Sequence, residues 1–486
     1  MLFSSTEFLY AFLPLTLLLY YIFSFSRHLK NIILLAASLW FYAWGEPRFV
    51  LIMIASIVCN YLVGLGIGWA KTKSNKAAEK AALVVGIVCN LGLLFVFKYL
   101  TFVLGNINAI LPLPFAVPEI ALPIGISFFT FQSMSYIIDV YRDHAAVQKN
   151  PLDLALYVAL FPQLIAGPIV RYETVAEQIR TRRESWAIFA PGMCRFLAGL
   201  FKKVLISNQM GMVADKAFSM NAGGTLGPAM AWLGALSYAL QIYYDFSGYS
   251  DMAIGLGKMF GFTFEENFNY PYISCSVTEF WRRWHISLGT WFRDYVYFPM
   301  GGSRVESRFR LVFNLAVVWV LTGVWHGAAW NFMLWGVWFF VLLTIEKLCF
   351  AKQLKAADSL PFYKKIPAWL YTMIAVLFGW VLFRAENLPL VISYFGAMFG
   401  GGIKGDSTAL LFVTQRAVFY LAAIVFSAPL IPYLRKTLDA WRERPRLAFA
   451  AVICDAVYPI LIAVLFLVCS AYLLKSNYNP FIYFNF

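Results

Sequence analysis

The sequence predicts an all-α, polytopic membrane protein, and three observations carry that expectation. Hydrophobic residues make up 61% of the 486 and charged residues only 13%, with a mean hydropathy of +0.69. A soluble domain carries roughly 25% charged residues, so most of this surface does not face water. Apolar runs recur at the length a helix needs to cross a bilayer, about 20 residues. The net charge of +14 sits in short Lys/Arg clusters between those runs, as the positive-inside rule expects. That placement points to lipid as the partner and away from nucleic acid.

Taken in order, the candidate spans are 7–25, 31–45, 49–70, 82–104, 121–140, 228–250, 309–325, 328–346, 366–384, 411–432 and 448–473, or about ten to eleven transmembrane helices. The basic loops, at 27–30, 71–80, 142–149, 347–365 and 435–446, belong on the cytoplasmic side, and alternation from them places both termini outside. The first basic side chain, Arg27, follows the first apolar run, which argues against a cleavable leader. Segment 152–170 breaks the alternation. Lys149 precedes it, Arg171 and Arg180 follow it, and Pro162 and Gly167-Pro168 interrupt any helix. It reads as re-entrant, and non-helical backbone at that depth must be buried in protein or line a cavity. Stretches 172–227 and 262–308 are too polar for lipid and are expected to cap a chamber from the cytosol. Either 228–250 then turns back within the membrane, or a return crossing hides near 251–262.

One membrane domain is expected over 1–486, with N-terminal helices to 120, a core at 121–350, and C-terminal helices and tail at 351–486. No internal repeat is visible, which weighs against a repeat-built transporter. The seven cysteines have no CxxC or metal-ligand spacing and read as reduced thiols, and no metal site is expected. Aromatic residues at 18% exceed what interfacial belts need and suggest an aromatic-lined interior.

Of four histidines, His28 and His144 sit in basic loops. His285 lies in TEFWRRWHISLGTWFRDY, 278–295. Stepped as one helix, Trp281, Trp284, Leu288, Trp291, Phe292 and Tyr295 share a face, with His285 near its edge and Arg282 and Arg293 in the adjoining stripe. The arginines suit bidentate phosphate binding, or lipid headgroups if this is an interfacial helix with a packed histidine. His326 lies in Leu321-Thr-Gly-Val-Trp-His-Gly-Ala-Ala-Trp330, sixteen steps from Arg310. A helix would carry it about 24 Å inward, and an ionisable group at that depth is a candidate functional group. Gly323 and Gly327 beside it allow close approach of backbone or ligand. A neutral imidazole is the usual base for a hydroxyl. Without a Gly-x-Ser-x-Gly elbow or Walker loop, direct attack by an acceptor hydroxyl is the simplest acyl transfer. Asp139, Asp245 and Asp251 are carboxylates within apolar runs, and Asp245 with Tyr244 either lines a polar pocket or serves helix–helix hydrogen bonds. Arg384 reads as a snorkelling anchor at a span's end.

These motifs, in this order, resemble the membrane-bound O-acyltransferase (MBOAT) family, in the bacterial branch typified by alginate O-acetylation. The resemblance runs nearly end to end. It rests on Phe41-Tyr-Ala-Trp-Gly-Glu-Pro47, on Pro123 to Gln132 with Tyr136 and Asp139, and on Phe161-Pro162 with Ala166-Gly-Pro168. Tyr243 to Asp251, Phe280-Trp-Arg-Arg-Trp-His-Ile-Ser287, Trp325-His-Gly327 and Phe481-Ile-Tyr-Phe-Asn-Phe486 complete it. The resemblance implies catalytic roles for His326 and His285, a donor site near Arg282, Arg293 and Trp325, and a pocket with Asp245, Tyr244 and Gln132. It implies a ring of helices about a central funnel, no bound cofactor, and a cytoplasmic thioester donor such as acetyl-CoA or an acyl carrier. The acyl group would pass to a periplasmic or extracellular acetyltransferase partner acting on a polysaccharide, with the protein in the bacterial inner membrane. Tyr483, the one hydroxyl in the aromatic tail 481–486, is either a relay for the acyl group or part of an interfacial anchor. The alternatives are a transporter of a sugar or lipid, which would survive loss of His326 at least partly, and a non-catalytic scaffold of a secretion complex, which would survive it fully.

Overall fold

The computed structural model describes residues 1–111, 115–165, 167–350, 352–354, 361–402, 407–444, 446–475 and 478–482. Among these residues the protein is helical and has no β-strand. It divides into two compact units, 1–196 with 250–265, and 197–249 with 266–486.

The first unit contains α1 (Phe8–Ile22), α2 (Arg27–Gly45), α3 (Val50–Thr72), α4 (Lys76–Ile110), α5 (Ile126–Tyr141), α6 (Pro151–Ala159), α7 (Tyr172–Thr181) and most of α8 (Trp186–Phe201). Helices α3 and α4 each contain a long apolar stretch, yet within it their buried amides Asn60 and Asn90 donate to each other, at 3.2 and 2.7 Å. Such reciprocal bonding is how an amide is tolerated between helices in lipid. In α5 every residue from Ile126 to Val140 is buried. The re-entrant expectation for 152–170 meets a broken element. α6 has nine residues, about 14 Å of rise, and cannot cross a hydrocarbon core of about 30 Å. A four-residue helical turn, Phe161–Leu164, follows it. The backbone groups freed by the break find partners inside the protein. Phe161 N–H donates to Ser38 Oγ at 3.1 Å, and Tyr157 OH donates to the Val170 carbonyl at 2.9 Å. Gly125 opens α5 at φ +76°, where a Cβ would stand 2.9 Å from the Leu164 carbonyl oxygen, so only glycine suits this turn.

A charged cluster ties the ends of this unit's helices. The Glu184 carboxylate accepts from Arg27 and from Tyr20 OH at 2.5 Å, with Lys30 at 3.4 Å. Arg182, whose side chain is fully buried, donates to Tyr20 OH at 3.1 Å and to Asn31 Oδ1 at 2.7 Å.

The second unit holds α9 (Asn208–Ala222), most of α10 (Pro228–Met259), α11 (Val277–Arg283), α12 (Ile286–Phe292), α13 (Arg308–His326), α14 (Trp330–Cys349) and α15 (Phe362–Arg384). It continues through α16 (Leu388–Gly396), α17 (Thr408–Gln415), α18 (Ala417–Phe426), α19 (Leu430–Arg442) and α20 (Ala448–Lys475). α10 is one helix of 32 residues, about 48 Å long. It neither turns back within 228–250 nor hides a return at 251–259, so both ways of closing the topology drawn from the sequence give way to a continuous rod.

Among the described residues six helices are long and apolar enough to cross a membrane, namely α3, α4, α13, α14, α15 and α20, with a seventh if α17 and α18, bent by 72°, count as one span. Ten of the eleven apolar runs each fall mainly on one helix and 411–432 is divided among α17, α18 and the start of α19, but α1 and α5 are short, α2 begins with charge, and α10 is studded with tyrosine and polar groups. A helix packed against protein need not be uniformly apolar, so hydropathy alone cannot separate it from a lipid-facing span.

Candidate functional site

The second unit brings His285 and His326 to one tryptophan. Helices α13 and α14 form a tight hairpin. A Cβ on Gly323 would stand 2.5 Å from the Phe332 carbonyl oxygen, and one on Gly336 2.5 Å from that of Trp319. Glycine at both positions lets the two backbones touch, as the sequence around Gly323 anticipates. His326 is the last residue of α13, at the hairpin's turn, and is 8% exposed. Its ring stands nearly perpendicular to three aromatics, Trp325 and Trp335 at 4.9 Å and Phe383 at 5.1 Å.

The expected single helix over 278–295 is instead two. α11 stops at Arg283 and α12 starts at Ile286, and His285 between them adopts φ +44°, ψ +54°. A non-glycine residue in the left-handed region costs about 1–3 kcal/mol and persists only where its surroundings over-determine it. Three supports do so here. The start of α11 is capped by Ser276, whose Oγ accepts from Glu279 N–H at 3.0 Å, while the Glu279 carboxylate reaches back to accept from Cys275 N–H at 2.9 Å. The buried Glu346 carboxylate on α14 accepts from Val277 N–H, Thr278 N–H and Thr278 Oγ at 2.6–2.8 Å, which clamps the helix start to the hairpin. Trp281 then packs on Trp319, Trp335 and Phe339 at 4.8–5.4 Å. The strap 267–269 takes up the backbone on either side of the break. Asn269 N–H donates to Arg283 O at 2.9 Å, and Ile286 N–H to Asn267 O at 3.0 Å.

His285 is 3% exposed, with Phe246 at 4.5 Å and Trp325 at 6.0 Å from its ring. Burial pushes its pKa down to about 3, so the imidazole is neutral. Trp325 touches both histidines and is 5% exposed. The arrangement is two imidazoles in a dry aromatic setting, suited to proton transfer in a medium of low dielectric.

The remaining residues singled out in the sequence are dispersed. Arg282 and Arg293 do not form one stripe, because the break at 284–285 puts them on different helical segments. Both are exposed, and Arg293 pairs with Asp294 at 2.7 Å. Tyr244 OH donates to the Ala423 carbonyl at 2.6 Å, a helix–helix bond. Asp245 is committed to Lys203 at 2.7 Å, both side chains being 1% exposed. The C-terminal segment completes this pair, for Lys203 also donates to Pro480 O, and Asp245 accepts from Ile482 N–H at 3.0 Å. Phe481 packs on Tyr249 at 4.8 Å, and Tyr478 OH donates to Asp215 at 2.6 Å. Asp215 also pairs with Arg384 at 2.9 Å, so the arginine at the end of α15 has an ion-pair partner within the protein. The described part of the tail is therefore docked, with Phe481 and Ile482 buried and 478–480 half-buried, while Tyr483 lies outside the described residues. Gln132, fully buried, belongs to α5 in the first unit.

Sequence reasoning missed Asn267, Glu346, Lys203 and Asp215. Glu346 alone left a signal, a carboxylate near the end of an apolar run. The others matter through contacts distant in the chain.

A family model described as MBOAT, membrane-bound O-acyltransferase family, matches residues 84–385, a stretch that contains both histidines. The chain is 41% identical to the probable alginate O-acetylase AlgI of Azotobacter vinelandii, with all of both chains covered. It is 36% identical to the peptidoglycan O-acetyltransferase of Helicobacter pylori, over 82% of this chain and 80% of that one. Similarity extends to the teichoic acid D-alanyltransferase of Bacillus subtilis, at 32% identity over 54% of this chain and 69% of the other.

Proposed function

The chain belongs to the membrane-bound O-acyltransferase family and is a multi-pass membrane acyltransferase, and from that premise we propose that it passes an acetyl group from a cytoplasmic thioester to an extracytoplasmic polysaccharide-modifying system. The observation that carries this reading is the pair of buried imidazoles meeting at Trp325. His326 is taken as the base. It accepts the proton of an acceptor hydroxyl as that oxygen bonds to the acyl carbon, the carbon–sulfur bond breaks, and the proton passes to the departing thiolate. Acetyl-CoA is the favoured donor, with the exposed guanidinium groups of Arg282 and Arg293 suited in charge and shape to its phosphates, Arg293 exchanging its pairing with Asp294 for them. The acetylated polymer is taken as alginate, by similarity to the alginate O-acetylase, and an extracytoplasmic acetyltransferase is the expected partner. The protein is placed in the bacterial inner membrane with both termini outside.

His326→Ala is expected to reduce acetyl transfer by about 10²–10⁴-fold while the protein still inserts and folds. His285→Ala is expected to be impaired less completely. Release of free thiol from acetyl-CoA by purified protein, together with polymer acetylation in cells, reads both. A well-expressed His326→Ala variant with normal acetylation would sink the enzymatic reading and favour a transporter or scaffold.

A further inference from the structure

Asn267 is 1% exposed, and its side-chain Oδ1 is approached by three groups. Ser287 N–H lies at 3.2 Å, Ser287 Oγ at 2.9 Å and His285 Nδ1 at 3.1 Å. A backbone N–H can only donate. The Asn267 atom facing it must then be the carbonyl oxygen, and a carbonyl oxygen can only accept. A bare nitrogen lone pair at 3.1 Å from that oxygen would be repelled, so the proton of the neutral imidazole belongs on Nδ1. The other ring nitrogen, Nε2, is buried and has no hydrogen-bond partner among the described residues. The left-handed backbone at His285 and the strap 267–269 hold ring and amide in this register.

We propose that Asn267 is a positioning residue that holds His285 in the Nδ1–H tautomer, so that the histidine offers the site a lone pair at Nε2 and no N–H donor. The inference rests on the acyl-transfer reading of this site and deepens it. His285 works as an acceptor, holding the hydrogen of a hydroxyl or thiol that enters the site. It does not stabilise the oxyanion of the tetrahedral intermediate, which needs a donor. The neutrality imposed by burial agrees with that assignment. A partner that fixes an imidazole's tautomer through its second nitrogen is a recurrent device in active sites.

Two measurements test the proposal on the full-length protein in nanodiscs. The first uses ¹⁵N-histidine and a variant in which His28 and His144 are replaced, with His326→Gln added to isolate His285. A protonated Nδ1 and bare Nε2 are expected, and a protonated Nε2 overturns the proposal whether or not the protein transfers acetyl. The second compares thiol release from acetyl-CoA. Asn267→Leu, close in volume, is expected to lose about 10- to 100-fold in kcat with KM for the donor unchanged. Asn267→Asp, which still accepts from Nδ1–H, is expected to recover most of that loss. Equal rates for Asn267→Leu and wild type, or an Asn267→Asp variant that folds but is as slow as Asn267→Leu, overturn it. Should wild-type protein release no thiol, the acyl-transfer reading fails while the tautomer stands on the spectrum.

Discussion

Lys203 and Asp245 show how much a single buried charge can organise. A buried charge is costly without a partner, and here each is completed by the other and by the backbone of the C-terminal segment. Removing one partner leaves the other uncompensated. Lys203→Met is therefore expected to destabilise the protein by about 3–5 kcal/mol. The double variant Lys203→Met/Asp245→Leu, which buries no charge, is expected to regain most of that stability yet still lose its hold on the tail. Thermal unfolding, with thiol labelling of Asn479→Cys in a cysteine-free background, reads the two effects separately. If the single variant is as stable as wild type and leaves Cys labelling unchanged, the pair is not what holds the tail. At the same scale, the 478–482 segment answers the question its sequence poses. Apolar side chains such as Phe481 and Ile482 would each forfeit about 1.5–3 kcal/mol if left in water, and both are buried.

Among elements, α11 and α12 matter most because they interrupt what the periodicity of 278–295 would continue. Aromatic spacing is the same for one helix as for two short ones, and the break is imposed by Glu346 and by the strap at 267–269. The Glu184 cluster plays a comparable part for α1 and α2. Burial works to raise the Glu184 pKa, but hydrogen bonds from Arg27 and Tyr20, with the charges of Arg27 and Lys30, hold it down to about 2. A carboxylate with a depressed folded pKa stabilises the fold above its unfolded value, near 4.5, and loses that contribution as pH falls toward 2. Glu184→Gln is accordingly expected to cost about 3 kcal/mol at neutral pH, because it strands Arg182 and Lys30. Its deficit relative to wild type should shrink between about pH 4.5 and pH 2 in detergent unfolding experiments. A deficit that stays constant over that range would show that the carboxylate's charge is not what ties the helices.

For the whole molecule, topology is the property most exposed to test. Segment 152–170 carries basic residues on both flanks, and its longest helix is too short to cross. Single cysteines at Asn150 and at positions within 171–183 are expected to label from the same, cytoplasmic, face. Labelling from opposite faces would make the segment a crossing and reverse the orientation of everything before it. The sequence by itself determined the class, the helices beneath all but one of the apolar runs, and the two histidines worth attention. Hydropathy and the position of Gly and Pro are local properties, and they act on neighbouring residues whatever the rest of the chain does. Only the tertiary structure decided that α10 is one continuous rod, that His285 leaves the helix, that Asn267 Oδ1 faces its Nδ1, and that Arg384 pairs with Asp215. Each of these depends on groups well separated along the chain or on burial by surrounding helices. Such contacts form only after the helices have packed, when an unpaired charge or amide is too costly to leave without a partner.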